Sequence, residues 1–304
     1  MDAPRALKAG DTIGIAAPSS PFDRKRFTKG VHILEKMGFD ISYRHDIFDQ
    51  NRYLAGTDER RAQEFTELFT DKNISAIMFA RGGYGSQRII PLLDADYLRK
   101  HPKPVIGFSD VTALLSFLNQ NAEVPTFYGP VVTQLGRSKS EITPKAFLTA
   151  LTTPGALGNI PVDGARTLRS GDAEGTLVGG CLSLINSSIG TNYEVDTKDR
   201  VLFIEEIGEK VYVLDRMLTQ LKNGNKLRDV RGIIFGSLIP PEDEPHDIET
   251  MIMDVLSDFN GPIVMDFPAG HIDDFVTLPL GASVSLNACE NDQPSLIYTS
   301  GLLE

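Results

Sequence analysis

Several features that would assign a class directly are missing from this sequence of 304 residues. It has no tryptophan and only two cysteines, Cys181 and Cys289. No apolar run approaches the roughly 20 residues that a transmembrane helix needs. The first residues also lack the basic segment and following apolar segment that are typical of a secretory signal peptide. We therefore expect a cytoplasmic protein whose two thiols stay reduced.

Basic charge is also scarce. The chain has 30 Lys and Arg against 41 Asp and Glu, a formal net charge of −11. Nucleic acids and anionic membranes are bound by clustered Lys and Arg, so neither is an expected partner. Neither cysteine has a metal-ligating neighbour at a short spacing, and we expect no metal site and no cofactor.

The N-terminal half alternates apolar strands, such as "TIGIA", "ISAIMF" and "KPVIGF", with helical patterns. Continuous apolar strands separated by helices indicate a parallel sheet that is covered on both faces. Pro and Gly breakers between Thr143 and Asp172 then weaken the pattern before a second α/β region begins. We predict an α/β fold with a first domain at residues 1–150, a linker at 151–172 and a second domain at 173–304.

The segment "GFSD" places Ser109 and Asp110 on the corner between an apolar strand and a helix. Ser and Asp are preferred helix N-cap residues, so a cap is one interpretation. A serine on a strand-to-helix turn is also the position of a nucleophile in many hydrolases. In parallel sheets, ligands bind beyond the carboxyl ends of the strands, where this corner lies.

A serine nucleophile needs a general base, and histidine is the usual one near neutral pH. His32 lies in a helical pattern, His45 and His101 lie in polar turns, and His246 lies beside an acidic loop. His271 is different, because it follows the apolar segment "PIVMDFPAG". It is therefore the preferred candidate base.

A carboxylate that orients the histidine would complete a catalytic triad. Glu205 and Glu206 end the apolar strand "VLFIEE", and adjacent strand residues point to opposite faces. At most one of them can therefore face a given site, and the other is expected to face solvent or the following turn. Both could instead be solvated loop residues.

The segment "RGGYG" ends another strand of the first half. It is neither a Walker A motif nor a GxGxxG fingerprint, and a tight turn would explain its glycines. Beside a serine on a turn, a glycine amide could supply half of an oxyanion hole, and the Asp110 amide could supply the other half.

Four motifs together resemble the LD-carboxypeptidase family of serine peptidases. In order they are "RGGYGS", "GFSD", "LFIEEIGE" with "DRMLTQL", and "GH" with "TLPLG". The resemblance runs from "GDTIGIAAPSS" to "TLPLGASVSL", nearly the whole chain. The family includes muramoyltetrapeptide carboxypeptidases and microcin C immunity peptidases.

The resemblance implies a flavodoxin-like N-terminal domain that carries the nucleophile and a smaller C-terminal α/β domain that carries the Glu and His. It assigns Ser109 as nucleophile, Glu205 and His271 as its triad partners, and the amides of Gly83 and Asp110 as oxyanion donors. Gly82 stays open as an alternative to Gly83. The family also implies a homodimer.

The implied reaction is hydrolysis of an amide between an L-centre and a D-amino acid, with terminal D-Ala released from murein tetrapeptide during cell-wall recycling. Cleavage of an aminoacyl-nucleotide conjugate is the alternative within the family. The absence of tryptophan, which those relatives stack on the nucleobase, favours murein peptides. A non-catalytic small-ligand binding protein is a third possibility. Arg81, Arg88 and Arg137 are candidates for contacting the substrate carboxylate.

Overall fold

A computed structural model describes residues 3–242, 247–290 and 292–304. The described residues form two compact units. Unit 1 takes those within Met1–Gly155, Asp273–Leu280 and Leu302–Glu304, and unit 2 takes those within Ala156–Ile272 and Gly281–Gly301. No helix in the described part of the chain is long and apolar enough to cross a membrane.

The strands are β1 (Thr12–Ala16), β2 (Asp40–Ser42), β3 (Ile74–Phe79), β4 (Val105–Gly107), β5 (Thr126–Tyr128), β6 (Gly158–Asn159), β7 (Arg166–Arg169), β8 (Gly171–Cys181), β9 (Arg200–Ile207), β10 (Gly232–Ile239), β11 (Ile263–Met265), β12 (Leu278–Leu280), β13 (Ser283–Ala288) and β14 (Ser295–Tyr298). The α-helices are α1 (Arg24–Lys36), α2 (Asp58–Thr70), α3 (Ser86–Ile89), α4 (Ala95–Arg99), α5 (Thr112–Asn121), α6 (Val132–Leu135), α7 (Ile142–Thr152), α8 (Leu182–Ser188), α9 (Val211–Asn223) and α10 (Ile248–Val255). Short 3₁₀ helices cover His45–Phe48, Ile90–Leu92 and Ser109–Val111.

Unit 1 is built on a sheet with the strand order β12-β5-β4-β3-β1-β2. Strands β1 to β5 pair in parallel, and β12 pairs with β5 in the antiparallel sense. The order of β1 to β5 is the flavodoxin-like order of a doubly wound sheet. The predicted parallel α/β fold is therefore confirmed, and the carboxyl ends of β1, β3 and β4 meet at one edge of this sheet.

Unit 2 is built on a sheet with the order β6-β14-β13-β8-β9-β10-β11-β7. Strands β8 to β11 are parallel, and the remaining pairings are antiparallel. Alternate residues of β9 and β10, such as Leu202, Ile204 and Phe235, join one buried apolar cluster with α8, α9 and α10. These helices therefore cover the face of β9 to which Leu202 and Ile204 belong.

Two structural features bear on the predicted domain boundaries. The region interpreted as a linker, 151–172, includes β6 and β7. Strand β12, in the C-terminal third of the chain, belongs to the sheet of unit 1 through its pairing with β5. Pairing between strands that are about 150 residues apart in sequence leaves no local pattern, so composition alone could not indicate it.

Helices α1 and α6 of unit 1 pack so closely that a side chain at the contact is excluded. A Cβ atom placed on Gly30 of α1 would lie 2.0 Å from the carbonyl oxygen of Val132 in α6. Gly30 is itself buried. Close packing, and not backbone flexibility, therefore explains a glycine inside this helix.

We expect Gly30→Ala to destabilise the protein, although alanine is the better helix former by about 1 kcal/mol. The clash with Val132 forces α1 and α6 apart and costs about 1–3 kcal/mol, as overpacking does. Thermal unfolding should show a lowered Tm. Lys29→Ala, on the exposed side of the same helix, is the control, and an unchanged or raised Tm for Gly30→Ala would contradict the packing argument.

Candidate active site

Ser109 lies on a strained turn immediately after β4 in unit 1. Its φ angle is +68°, in the left-handed region that residues other than Gly, Asn and Asp rarely adopt. The backbone N–H of Ser109 donates to the buried hydroxyl of Tyr128 at 3.2 Å, and the side chain is partly exposed. The strand-to-helix turn predicted from "GFSD" is confirmed.

The structure does not bear out the interpretation of Ser109 as a helix cap. The 3₁₀ helix Ser109–Val111 precedes α5, and the N-cap positions of the two helices are Phe108 and Val111. Neither residue makes a side-chain capping hydrogen bond.

Asp110 does cap a helix, but that helix is α3. Its buried carboxylate accepts the N–H groups of Gly85 at 3.2 Å and Ser86 at 2.9 Å, at the start of α3. The same carboxylate accepts the hydroxyl of Ser19 at 2.5 Å, and the Asp110 carbonyl accepts the hydroxyl of Ser86 at 2.6 Å. Asp110 therefore links the turn after β4 to the loops that follow β1 and β3.

The loop after β3 approaches Ser109 through a glycine. A Cβ atom on Gly82 would lie 3.2 Å from Ser109 Oγ and 3.4 Å from the Asp110 nitrogen. The carbonyl of Gly82 accepts the N–H of Ser20 at 3.3 Å. Because the peptide unit is planar and trans, the N–H of Gly83 points in the opposite direction to that carbonyl.

Charged residues of α2 contact the loops that follow β1 and β3. Glu64 is buried and accepts the N–H of Ala17 at 2.8 Å, and the guanidinium of Arg60 contacts both of its oxygens. Arg61 is fully buried and donates to the carbonyls of Pro18 and Gly85. Burial raises the pKa of Glu64 and lowers the pKa of Arg61. These contacts fix the backbone of the loops that follow β1 and β3.

Glu205 and His271 meet in unit 2. His271 Nδ1 lies 2.7 Å from Glu205 Oε2, and the Glu205 side chain is fully buried while 17% of the His271 side chain is exposed. A buried carboxylate at this distance holds the Nδ1–H tautomer and leaves Nε2 as the basic nitrogen. The predicted strand before His271 is shorter than expected, because β11 ends at Met265.

Two residues that sequence reasoning missed position this pair. The backbone N–H of His271 donates to Ser237 Oγ at 2.9 Å. A Cβ atom on Gly270, whose φ is +120°, would lie 2.4 Å from Ser237 Oγ and 2.7 Å from Glu205 Oε2. The rule that parallel strands deliver site residues at their carboxyl ends could have indicated Ser237, which lies toward the end of β10.

The sequence predicts that Glu206 faces either solvent or the following turn. The first of these alternatives is wrong. Its side chain is buried and accepts the N–H of Ser183 in the first turn of α8 at 2.7 Å. It also accepts the N–H of Ile207 at 3.0 Å and contacts the thiol of Cys181. Glu206 lies on the face of β9 that α8 to α10 cover, so the pleat sends it into this layer and Glu205 to the opposite face.

The other candidate residues lie elsewhere. His32 is an exposed residue of α1, His45 starts a 3₁₀ helix, and the ring of His101 contacts Tyr97. His246 lies outside the described residues. Arg81 donates to the Pro21 carbonyl, Arg88 forms an ion pair with Asp58, and Arg137 is exposed.

The described groups belong to two sets. Unit 1 carries a serine hydroxyl on a strained turn beside the glycine loop that follows β3, and unit 2 carries a histidine paired with a buried glutamate. Among the described residues, no group of three or more His, Cys, Asp and Glu side chains is arranged to hold a metal ion. A hydroxyl, an oriented imidazole and amide donors are the groups that serine hydrolases use.

Comparison with known proteins identifies the family. The family models described as the LD-carboxypeptidase N-terminal domain and C-terminal domain match residues 13–129 and 174–286. The probable murein peptide carboxypeptidase of Bacillus subtilis (strain 168) is 37% identical and covers 94% of this chain and 92% of its own length. The murein tetrapeptide carboxypeptidase of Pseudomonas aeruginosa is 29% identical, with coverages of 85% and 87%.

The solved structure of MccF in complex with glutamyl sulfamoyl guanosine matches with a TM-score of 0.91 and 26% identity, over 99% of each chain. The chain belongs to the LD-carboxypeptidase family, as the four motifs predicted. It is a serine-type carboxypeptidase with a two-domain α/β fold.

The buried position of Glu206 predicts a pH-dependent stability. Burial raises its pKa, and the Ser183 and Ile207 N–H groups only partly offset this. A raised pKa in the folded state means that the contribution of Glu206 to stability is complete below about pH 4, and is lost as the pH rises through the folded-state pKa. Denaturant unfolding from pH 4 to 8 should show a smaller loss of stability in Glu206→Gln than in the wild type, because the buried Glu64 contributes a similar loss to both proteins. Parallel curves for the two proteins would refute it.

Proposed function

We propose that this protein is an LD-carboxypeptidase that releases terminal D-Ala from murein tetrapeptide, with Ser109, Glu205 and His271 as its catalytic triad. The observation that carries the proposal is the hydrogen bond of 2.7 Å between the buried Glu205 carboxylate and His271 Nδ1. A structural ion pair would not need the close approach of Gly270 or the second bond from Ser237. In this family context, an imidazole held in one tautomer is best explained as a general base.

In the proposed mechanism, His271 Nε2 takes the proton of Ser109 as Oγ attacks the carbonyl carbon next to the D-residue. Glu205 stabilises the imidazolium that forms and keeps its proton on Nδ1. The imidazolium then protonates the leaving amine, and D-Ala departs. Water, activated by the same histidine, hydrolyses the acyl-enzyme and restores Ser109.

The oxyanion of each tetrahedral intermediate would be held by backbone amides of unit 1. The direction of the Gly83 N–H, opposite to the Gly82 carbonyl that Ser20 binds, supports Gly83 over Gly82 as one donor. The Asp110 nitrogen would lie 3.4 Å from a Cβ on Gly82, which supports it as the second donor of the same hole. Removing one such donor in other enzymes costs about 100-fold or more in kcat.

The names of the relatives support a small peptide as the substrate, and a murein peptide in particular. MccF binds glutamyl sulfamoyl guanosine in its solved complex, so an aminoacyl-nucleotide conjugate is the second candidate. The absence of tryptophan from this chain argues for the murein peptide, since a large aromatic surface is the usual partner of a nucleobase.

The decisive test uses the purified full chain with two substrates, murein tetrapeptide and an aminoacyl sulfamoyl nucleoside, and identifies the products by mass spectrometry. We expect release of D-Ala from the tetrapeptide at a rate that exceeds cleavage of the conjugate. Ser109→Ala should lower the turnover rate by about three orders of magnitude or more. Its fold should stay intact, because the Ser109 side chain caps no helix. Retained turnover in folded Ser109→Ala would end the serine mechanism.

The two adjacent glutamates provide a matched pair of variants. Glu205→Gln should lower kcat by about 100-fold or more, since an amide neither stabilises the imidazolium nor reliably fixes its tautomer. Glu206→Gln should cost about tenfold or less, because its carboxylate contacts α8 and not His271. Steady-state rates and circular dichroism of both variants check this. A larger loss for Glu206→Gln would mean that the assignment to Glu205 is wrong.

A further inference from the structure

Arg61 of α2 is a fully buried arginine that the proposed chemistry does not use. Its guanidinium donates to the Pro18 carbonyl and, at 2.8 Å, to the Gly85 carbonyl, and it pairs with Asp58 in the first turn of the same helix. A buried ion pair is weak evidence for stability, since apolar residues of similar volume often serve as well. The two carbonyls that Arg61 binds therefore explain its position better than stability does.

Arg61 joins two loops at one atom. Pro18 stands two residues before Ser20 in the loop after β1, and Gly85 stands two residues after Gly83 in the loop after β3. The same guanidinium nitrogen, Nη1, donates to the carbonyls of Pro18 and Gly85. The loops therefore cannot move apart without the loss of one of these two hydrogen bonds.

The loop after β3 has little conformational preference of its own. Gly82, Gly83 and Gly85 are three of the four residues at 82–85, and the φ angles of Gly83 and Gly85 are +106° and +130°. Glycine adopts many backbone conformations at similar cost, so neighbouring segments must fix this loop. At Gly85, Arg61 binds the carbonyl and the Asp110 carboxylate binds the N–H at 3.2 Å. Groups of opposite charge therefore hold the two polar atoms of one glycine.

The direction of the Gly83 N–H depends on how far apart the two loops lie. The N–H of Ser20 donates to the Gly82 carbonyl at 3.3 Å, slightly beyond the usual range of about 2.7–3.2 Å. The Gly82 carbonyl and the Gly83 N–H belong to one planar peptide unit, so the bond from Ser20 also fixes this N–H. A small increase in the separation of the loops would break that bond and leave the peptide unit free to turn.

We propose that Arg61 is a positioning residue that keeps the Gly83 N–H directed at the oxyanion. This inference rests on the proposed function, in which the Gly83 amide is one of two oxyanion donors. Because Arg61 is buried and acts only through the loops, its effect is on the transition state and not on binding of the substrate. A displacement of about 1 Å within an active site can lower a rate by about 100-fold.

The first measurement is steady-state hydrolysis of murein tetrapeptide by Arg61→Met. Methionine occupies much of the buried space without donating, and Asp58 keeps Arg88 as a partner. We expect kcat to fall by about 10- to 100-fold and KM to change by less than about threefold. The pH dependence of kcat/KM should not shift, because the Glu205–His271 pair belongs to unit 2.

The second measurement separates positioning from a loss of folded protein. The inhibitors are the product tripeptide and its boronic acid analogue, in which boron replaces the carboxyl carbon and forms a tetrahedral adduct with Ser109 Oγ. The wild type should bind the boronic acid at least about 100-fold more tightly than the tripeptide. In Arg61→Met this ratio should fall about tenfold or more, while the inhibition constant of the tripeptide stays within about twofold. Partial unfolding would lower the active fraction and leave the ratio unchanged.

Arg99→Met is the matched control. Arg99 also pairs with an aspartate three residues earlier, Asp96, and also donates to a backbone carbonyl, that of Asn121. Arg99 ends α4, before β4, and Asn121 ends α5, before β5. These strands are parallel, so the contacts of Arg99 lie at the opposite edge of the sheet from Ser109. The kcat and the inhibitor ratio of Arg99→Met should match those of the wild type.

Arg61→Gln is a milder second variant. The glutamine amide is neutral and shorter, so we expect it to bind one of the two carbonyls and not both. Its inhibitor ratio should be at least about threefold below that of the wild type. This value decides the question if Arg61→Met does not fold, and a wild-type ratio in folded Arg61→Gln would then overturn the inference.

The inference is also overturned if Arg61→Met keeps the wild-type kcat and inhibitor ratio, or if KM alone rises. Release of D-Ala by an enzyme that does not need Arg61 would leave the proposed function standing. Turnover of the aminoacyl sulfamoyl nucleoside alone would overturn the proposed substrate, and kcat of Arg61→Met on that conjugate would then decide the role of Arg61. The two proposals therefore fail separately.

Discussion

The buried carboxylate of Asp110 is the interaction on which the arrangement of unit 1 depends. It accepts a hydroxyl from the loop after β1 and two amide N–H groups from the loop after β3, and it belongs to the turn after β4. A buried charge without partners would cost several kcal/mol, so the three loops must stay in register for the carboxylate to remain satisfied. The left-handed backbone of Ser109 persists because its neighbour is fixed in this way.

In unit 2, the pleat of β9 separates the roles of two adjacent carboxylates. Leu202, Ile204 and Glu206 point to the face of β9 that helices cover, and Glu205 points to the other. Glu206 accepts the Ser183 N–H in the first turn of α8, and Glu205 hydrogen-bonds to His271. The two adjacent carboxylates therefore have different roles: Glu206 caps a helix and Glu205 orients an imidazole. The reason is that successive side chains of a strand point to opposite faces of the sheet.

The sequence permitted prediction of the sheet class, the strand-to-helix turn at Ser109 and the opposite directions of Glu205 and Glu206. Each of these depends on neighbours in sequence, through periodicity, capping or backbone sterics. The burial of Glu206 could not be predicted, because it depends on α8, whose first turn is more than 20 residues away along the chain. The pairing of β12 with β5 was missed for the same reason.

Two glycines show most clearly why contacts between distant segments could not be predicted from the sequence. In the sequence, Gly82 and Gly270 are similar, since each stands beside a residue of interest in a segment that could be an ordinary turn. In the structure, a Cβ on Gly82 would lie 3.2 Å from Ser109 Oγ, and one on Gly270 would lie 2.7 Å from Glu205 Oε2. At each position another segment of the chain approaches a candidate catalytic oxygen closely; a side chain at Gly270 would clash with it, and one at Gly82 would fit only tightly. Only Gly270 also needs a positive φ, so close approach is the constraint that the two positions share.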